Sequence, residues 1–184
     1  SLGAAAARQA ARYSWEKVTP RIEEAYQKAH RRRRRTRRAR SAIEPARAGD
    51  TILADLHMHT NFSSDCATTP EELLAGCKES GLEAIAITDH NTIAGAVEVA
   101  RLAPESIQVI IGEEIKTREG EIIGLYLTEE IPKGLTAEET IALIKKQGGL
   151  VYVPHPFDPL HLTPTYELLA RNAAAIDILE VYNP

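Results

Sequence analysis

Asp55-Leu56-His57-Met58-His59-Thr60-Asn61-Phe62-Ser63-Ser64-Asp65 is the stretch on which the reading of this chain turns. The apolar run before it, Thr51-Ile52-Leu53-Ala54, is short enough for a buried strand rather than a helix. Successive strand side chains point to opposite faces, so His57 and His59 share one face and Met58 takes the other. Two imidazoles on one face at the end of a strand suit a single metal ion. Acidic residues flank the pair at Asp55 and Asp65.

Downstream, strands alternate with helices. Thr69-Pro70-Glu71-Glu72 is a capping box with Pro at the first helical position, opening a helix through Lys78 that Gly81 ends. Glu83 to Thr88 reads as the next buried strand, closed by Asp89-His90-Asn91, with a helix from Thr92 to about Leu102. Ser106 to Ile111 is a third strand ending in Gly112-Glu113-Glu114-Ile115, and Glu121 to Leu127 a fourth. A second capping box, Thr136-Ala137-Glu138-Glu139, starts a helix to about Gln147, which Gly148-Gly149 terminates. Leu150 to Val153 is a fifth strand running into Pro154-His155-Pro156. A helix near Thr165 to Asn172 then precedes a sixth strand, Ile176 to Tyr182. Such alternation predicts an α/β fold with a parallel sheet, open or closed into a barrel.

In parallel barrels the chemistry collects at the carboxyl ends of the strands. Those ends carry His57 and His59, Asp89 and His90, Glu113 and Glu114, and His155, so four of the six histidines fall there. Imidazoles and carboxylates buried against each other need partners, which a shared metal site supplies. His30 and His161 are read as surface residues.

Four ordered motifs now stand out: Asp55-Leu56-His57-Met58-His59-Thr60, Ile87-Thr88-Asp89-His90-Asn91-Thr92, Gly112-Glu113-Glu114-Ile115 and Val153-Pro154-His155-Pro156. Together they resemble the PHP (polymerase and histidinol phosphatase) superfamily over residues 51–184. The resemblance implies a distorted (β/α)7 barrel and a centre of two or three divalent metal ions, usually manganese, zinc or iron. It implies hydrolysis of phosphate esters, on a phosphorylated small molecule, a nucleotide or an oligonucleotide, with no catalytic residue beyond the metal ligands. Carried onto this chain, His57 and His59 would hold the first metal, Glu114 would bridge to the second, His155 would bind the second, and Asp65 and His90 would contribute to a third. Glu114 rather than Glu113 fits the family's pattern. Asp89 would hydrogen-bond a ligand histidine.

Two departures accompany the resemblance. Where many members place a histidine in the fourth strand, this chain has Ile123, which implies a second metal held weakly or not at all. The family's final Asp and His motif would lie beyond Pro184, so the barrel is expected to be incomplete at its C-terminus. The alternative to an enzyme is a non-catalytic PHP scaffold, as in some polymerases.

Upstream the character changes. Residues 1–50 hold 14 Lys and Arg against 5 Asp and Glu, a net +9, while the remainder holds 8 against 21, a net −13. Two different things are therefore joined near residue 50. Trp15, Val18, Ile22 and Tyr26 line one helical face, and Ala10 to Val18, continuing to Tyr26, resembles the final helices of family-4-type glycosyltransferases. That implies residues 1–30 form a helical segment fused to, or docking on, a glycosyltransferase; no sugar-nucleotide site accompanies it. Residues 31–50 read as an Arg-rich linker. The eight arginines between Arg31 and Arg40 repel one another and bury nothing, or alternatively contact nucleic-acid phosphates, although no aromatic residue is interleaved.

No apolar run approaches the roughly 20 residues of a membrane-spanning helix, and no secretory pattern is present. Cys66 and Cys77 make no disulfide framework and suit a reducing cytoplasm. The chain starts at Ser1 without methionine and stops just after a strand, so both ends are expected to be cut from a longer protein.

Overall fold

The predicted alternation is present in the computed structural model, which describes residues 52–156 and 163–180. Its order is β1 (Ala54–Met58), α1 (Pro70–Glu79), β2 (Ala84–Ile87), α2 (Ala94–Leu102), β3 (Gln108–Lys116), β4 (Glu121–Leu125), α3 (Ala137–Lys146), β5 (Leu150–Val153), α4 (Tyr166–Asn172) and β6 (Ile178–Leu179). The segments read as an N-terminal helix and an Arg-rich linker, with His30, lie outside the described residues, as does His161. Among the described residues no helix is long and apolar enough to cross a membrane.

Local chemistry sets the helix ends. The Thr69 hydroxyl accepts from the Glu72 N–H while the Glu72 carboxylate accepts from the Thr69 N–H, and Thr136 and Glu139 repeat the arrangement on α3. Each pair satisfies two backbone donors that a helix start leaves without partners. Gly81 and Gly148 follow α1 and α3 at φ +70° and +78°, a left-handed conformation costly for other residues.

The strands form one sheet in the order β1-β2-β3-β4-β5-β6. β1, β2 and β3 are parallel and β5 and β6 are parallel, but β4 is antiparallel to both its neighbours. The expectation of a parallel sheet is therefore corrected at β4. Only Thr117–Gly120 separates β3 from β4, and a parallel crossover needs a dozen residues or more. The turn closes through the Thr117 N–H and hydroxyl, both donating to the Gly120 carbonyl. A Cβ at Gly120 would overlap Pro164, so a bare backbone is needed there.

The sheet curls. Leu56, Ala86, Ile110, Ile123, Tyr152 and Ile178, one from each strand, pack into a single apolar cluster inside the curve. The outer face is covered twice. Helices α1 and α2 place Leu73, Leu74, Cys77, Ala96 and Val99 on Ile85 and Ile87. Helices α3 and α4 place Ile141, Ile144 and Leu168 on Ile115, Ile122 and Val151.

The first strand also differs from expectation. It lies on the histidine stretch itself, and Ile52 and Leu53 remain 63% and 54% exposed. Its ladder with β2 breaks register between Asp55 and Met58. Across that irregularity Leu56 packs in the inner cluster and Met58 in the outer one, so strict alternation does not hold.

Glu113 is buried on the helix-covered face. Its Oε2 accepts from the Ile131 N–H at 2.8 Å, and Oε1 has no partner among the described residues. Burial pushes its carboxyl up to about 7. Because the folded state holds that proton more tightly than the unfolded chain, stability falls as pH rises from about 4.5 through about 7 and stays lowered above it. Glu113→Gln should match the parent near pH 4.5 and exceed it by roughly 1–3 kcal/mol at pH 8 in denaturant titrations.

Candidate metal centre

One carboxylate gathers the histidines. Glu114, buried near the carboxyl end of β3, places Oε1 3.1 Å from His155 Nε2 and Oε2 3.4, 3.2 and 3.3 Å from His57 Nε2, His59 Nε2 and His90 Nδ1. Asp65 joins from the side, its Oδ2 3.1 Å from His90 Nε2, although it is 57% exposed. All six residues singled out in the sequence therefore converge here. The donor atoms form two groups that could each hold a metal ion, His57–Glu114–His155 and His59–His90–Glu114. Glu114 stands in both, whereas the resemblance grouped His57 with His59.

Two of the imidazoles are held from behind, His57 by Glu180 and His59 by Ser63. Glu180, just after β6, accepts from the Tyr152 hydroxyl at 2.6 Å and the His155 N–H at 2.5 Å, and its Oε1 lies 3.2 Å from His57 Nδ1. The two edge strands, β1 and β6, are thus tied across the mouth of the curl. His155 sits at φ +26°, a strained backbone for a non-glycine residue, and its bond to Glu180 helps hold it.

On the other side Asp89 accepts from the Thr60 N–H and hydroxyl, both at 2.7 Å, and from the Ser63 hydroxyl at 3.0 Å. Ser63 Oγ in turn receives the His90 N–H at 2.8 Å and lies 3.1 Å from His59 Nδ1. Asp89 therefore reaches the histidines only through Ser63, not directly as the sequence suggested. Helix α2 presses close beneath, and a Cβ at Gly95 would overlap Asp89.

Glu113 points away from the centre, and Ile123, cross-strand partner of Glu114, packs in the inner cluster. Sequence reasoning missed Glu180, Tyr152, Ser63 and Glu121, the last 3.9 Å from His155 Nε2. Glu180 was within reach, since it is a carboxylate following a strand. The sixth strand was drawn past it to Tyr182.

The donors fit a cation. Glu180 can only accept, so His57 carries its proton on Nδ1 and aims a lone pair from Nε2. Ser63 gives its proton to Asp89 and accepts from His59 Nδ1, so His59 Nε2 also presents a lone pair. Those two atoms are 3.2 Å apart beside a carboxylate oxygen, an arrangement that repels unless positive charge lies between. Among the described residues the ion-pair partners of Glu114 and Asp65 are histidines, with no Lys or Arg. Without a cation the rings can instead take protons toward Glu114: burial alone would lower the His57 and His155 pKa, yet the Glu114 carboxylate beside them raises both above the ordinary value. Burial would raise Glu114, but the His155, His57 and His59 rings, donating to it when protonated, hold it well below the usual carboxylate range. The centre favours positive charge.

The PHP domain family matches residues 55–177, more than half of the chain, and the chain belongs to that family. The matched span lies after the segment resembling glycosyltransferase helices and lends that resemblance no support. An uncharacterised protein of Methanocaldococcus jannaschii is 51% identical over 118 residues, 58% of this chain and 69% of that protein. An error-prone DNA polymerase of Mycobacterium bovis is 39% identical over 84 residues, 42% of this chain but 8% of the polymerase. Among solved structures, a Bifidobacterium adolescentis protein provisionally named a metal-dependent phosphoesterase superposes with a TM-score of 0.60 at 20% identity, covering 72% of this chain and 79% of its own. That likeness shows a shared mixed α/β fold with a curled sheet.

Asp89→Ala should cost about 2–4 kcal/mol, because the Thr60 and Ser63 donors beneath the site lose their acceptor. Denaturant unfolding in chelator-treated samples measures this; a loss under about 0.5 kcal/mol would show that the loop is held otherwise.

Proposed function

We propose that this chain hydrolyses phosphate esters, with divalent cations bound at His57, His59, Asp65, His90, Glu114 and His155. The observation that carries this is the contact of one buried carboxylate, Glu114, with four imidazoles. Oε1 meets His155 while Oε2 meets His57, His59 and His90, so the carboxylate reaches both donor groups, which suits a bridge between two ions; Asp65 beside His90 leaves room for a third. Bound cations would acidify a water for attack on phosphorus and neutralise charge building on the phosphoryl oxygens.

The protein side chains have their own tasks. Glu180 and Ser63 keep the His57 and His59 protons on Nδ1, so each Nε2 stays turned inward. Asp65 and His90 form the more open side, where a substrate enters. Glu114 and Asp65 pair only with histidines among the described residues, so the bound cations would draw an anionic substrate.

The name of the Bifidobacterium protein and the family membership support a phosphomonoester or phosphodiester substrate. The polymerase relative supports a nucleotide or oligonucleotide, for which Arg31–Arg40 would be a phosphate contact. Imidazole and carboxylate donors suit manganese, zinc or iron alike.

Chelator treatment should abolish release of p-nitrophenol from p-nitrophenyl phosphate, and manganese or zinc should restore it. His57→Ala and Glu114→Ala should each lose at least about 100-fold in kcat/KM, roughly 2.7 kcal/mol of transition-state stabilisation. Activity that survives the chelator or either substitution would refute the proposal.

A further inference from the structure

β4 runs against its neighbours, so its first residue, Glu121, lies at the rim where β3 and β5 end. In the β3–β4 ladder Glu121 faces Lys116 and Ile123 faces Glu114. Cross-strand partners and residues two apart share a face, which puts Glu121 on the inner face with Glu114. Its Oε2 reaches to 3.9 Å from His155 Nε2, and its side chain is only 12% exposed. Among the described residues no hydrogen-bond donor meets that carboxylate, and Lys116 opposite is exposed and forms no ion pair with it. A shielded carboxylate without donors is costly unless a cation accompanies it.

We infer that Glu121 is a fourth protein ligand of the cation held by His57, Glu114 and His155. The inference rests on the metal reading above. Ligand atoms about 2.0–2.2 Å from a tetrahedral ion stand roughly 3.3 Å apart. Glu121 Oε2, 3.9 Å from His155 Nε2, is not among the donor atoms that already lie within 4.8 Å of one another, so its side chain turns toward them to join the group. Glu114 shares its charge between two groups, so a second carboxylate brings the first group close to neutrality with a divalent ion. The two groups then differ in chemistry, because Asp65 meets His90 through Nε2, the ring nitrogen turned away from Glu114, and so adds no carboxylate to the His59–His90–Glu114 group. They differ in shelter too, since His57 and His155 are less exposed than His59 and His90. The Glu121 group is accordingly the tighter one, and the His59–His90–Glu114 group exchanges more readily with solution.

The test uses the full chain, stripped with a chelator and titrated with cobalt(II), read by calorimetry and by visible absorption of the bound ion. The parent should show a tight and a weaker class of site. Glu121→Gln, which keeps size and shape, should weaken the tight class at least about ten-fold and change its absorption band. Glu121→Asp, which retains a carboxylate oxygen, should recover part of both. Asp65→Asn should leave the tight class unchanged. A parent that binds cobalt in two classes while Glu121→Gln keeps both affinities and the spectrum unchanged would overturn this inference alone. A parent that binds no cobalt would overturn the metal reading together with it.

Discussion

Glu114 is a carboxylate held ionised where water scarcely reaches, and the surrounding structure follows from supplying it with partners. An isolated buried charge is expensive, and breaking a paired one costs several kcal/mol. Here four imidazoles from three parts of the chain, the ends of β1, β2 and β5, meet its two oxygens. None of them can do so alone. The irregular register of β1 turns His57 inward, the strained backbone at His155 turns its ring toward Oε1, and the Thr60–Ser63 loop steadies His59 and His90.

Those placements depend on two anchors at opposite sides of the curl. Asp89 gathers Thr60 and Ser63 above helix α2, where only a glycine at position 95 lets the helix come close. Glu180 gathers Tyr152, His155 and His57, joining the two edges of the sheet. Burial would raise Glu180, yet its three donors bring it below the ordinary value, so it remains an acceptor for His57. The apolar residues inside the curl form the floor on which both anchors stand.

Much of this was legible in the sequence. The capping boxes at Thr69 and Thr136 and the glycines at 81 and 148 marked helix ends because each satisfies a specific backbone need. The strand-end reading found His57, His59, His90, Glu114 and His155 because a curled sheet brings those ends together. It failed where direction or register departs from the simple pattern. The four residues of Thr117–Gly120 were too few for a parallel crossover, and taking that length seriously would have reversed β4 and exposed Glu121 as a rim residue. The β1 irregularity and the path from Asp89 through Ser63 carry no sequence signal, because both depend on contacts between residues distant along the chain.

The central claim is that Glu114 joins two cations. Anomalous diffraction from manganese-soaked crystals tests it most directly. Two peaks about 3.5–4 Å apart are expected, one beside His57 and His155, the other beside His59 and His90, with a Glu114 oxygen bonded to each. Density placing the ions elsewhere, or a single ion that Glu114 does not touch, would contradict the account.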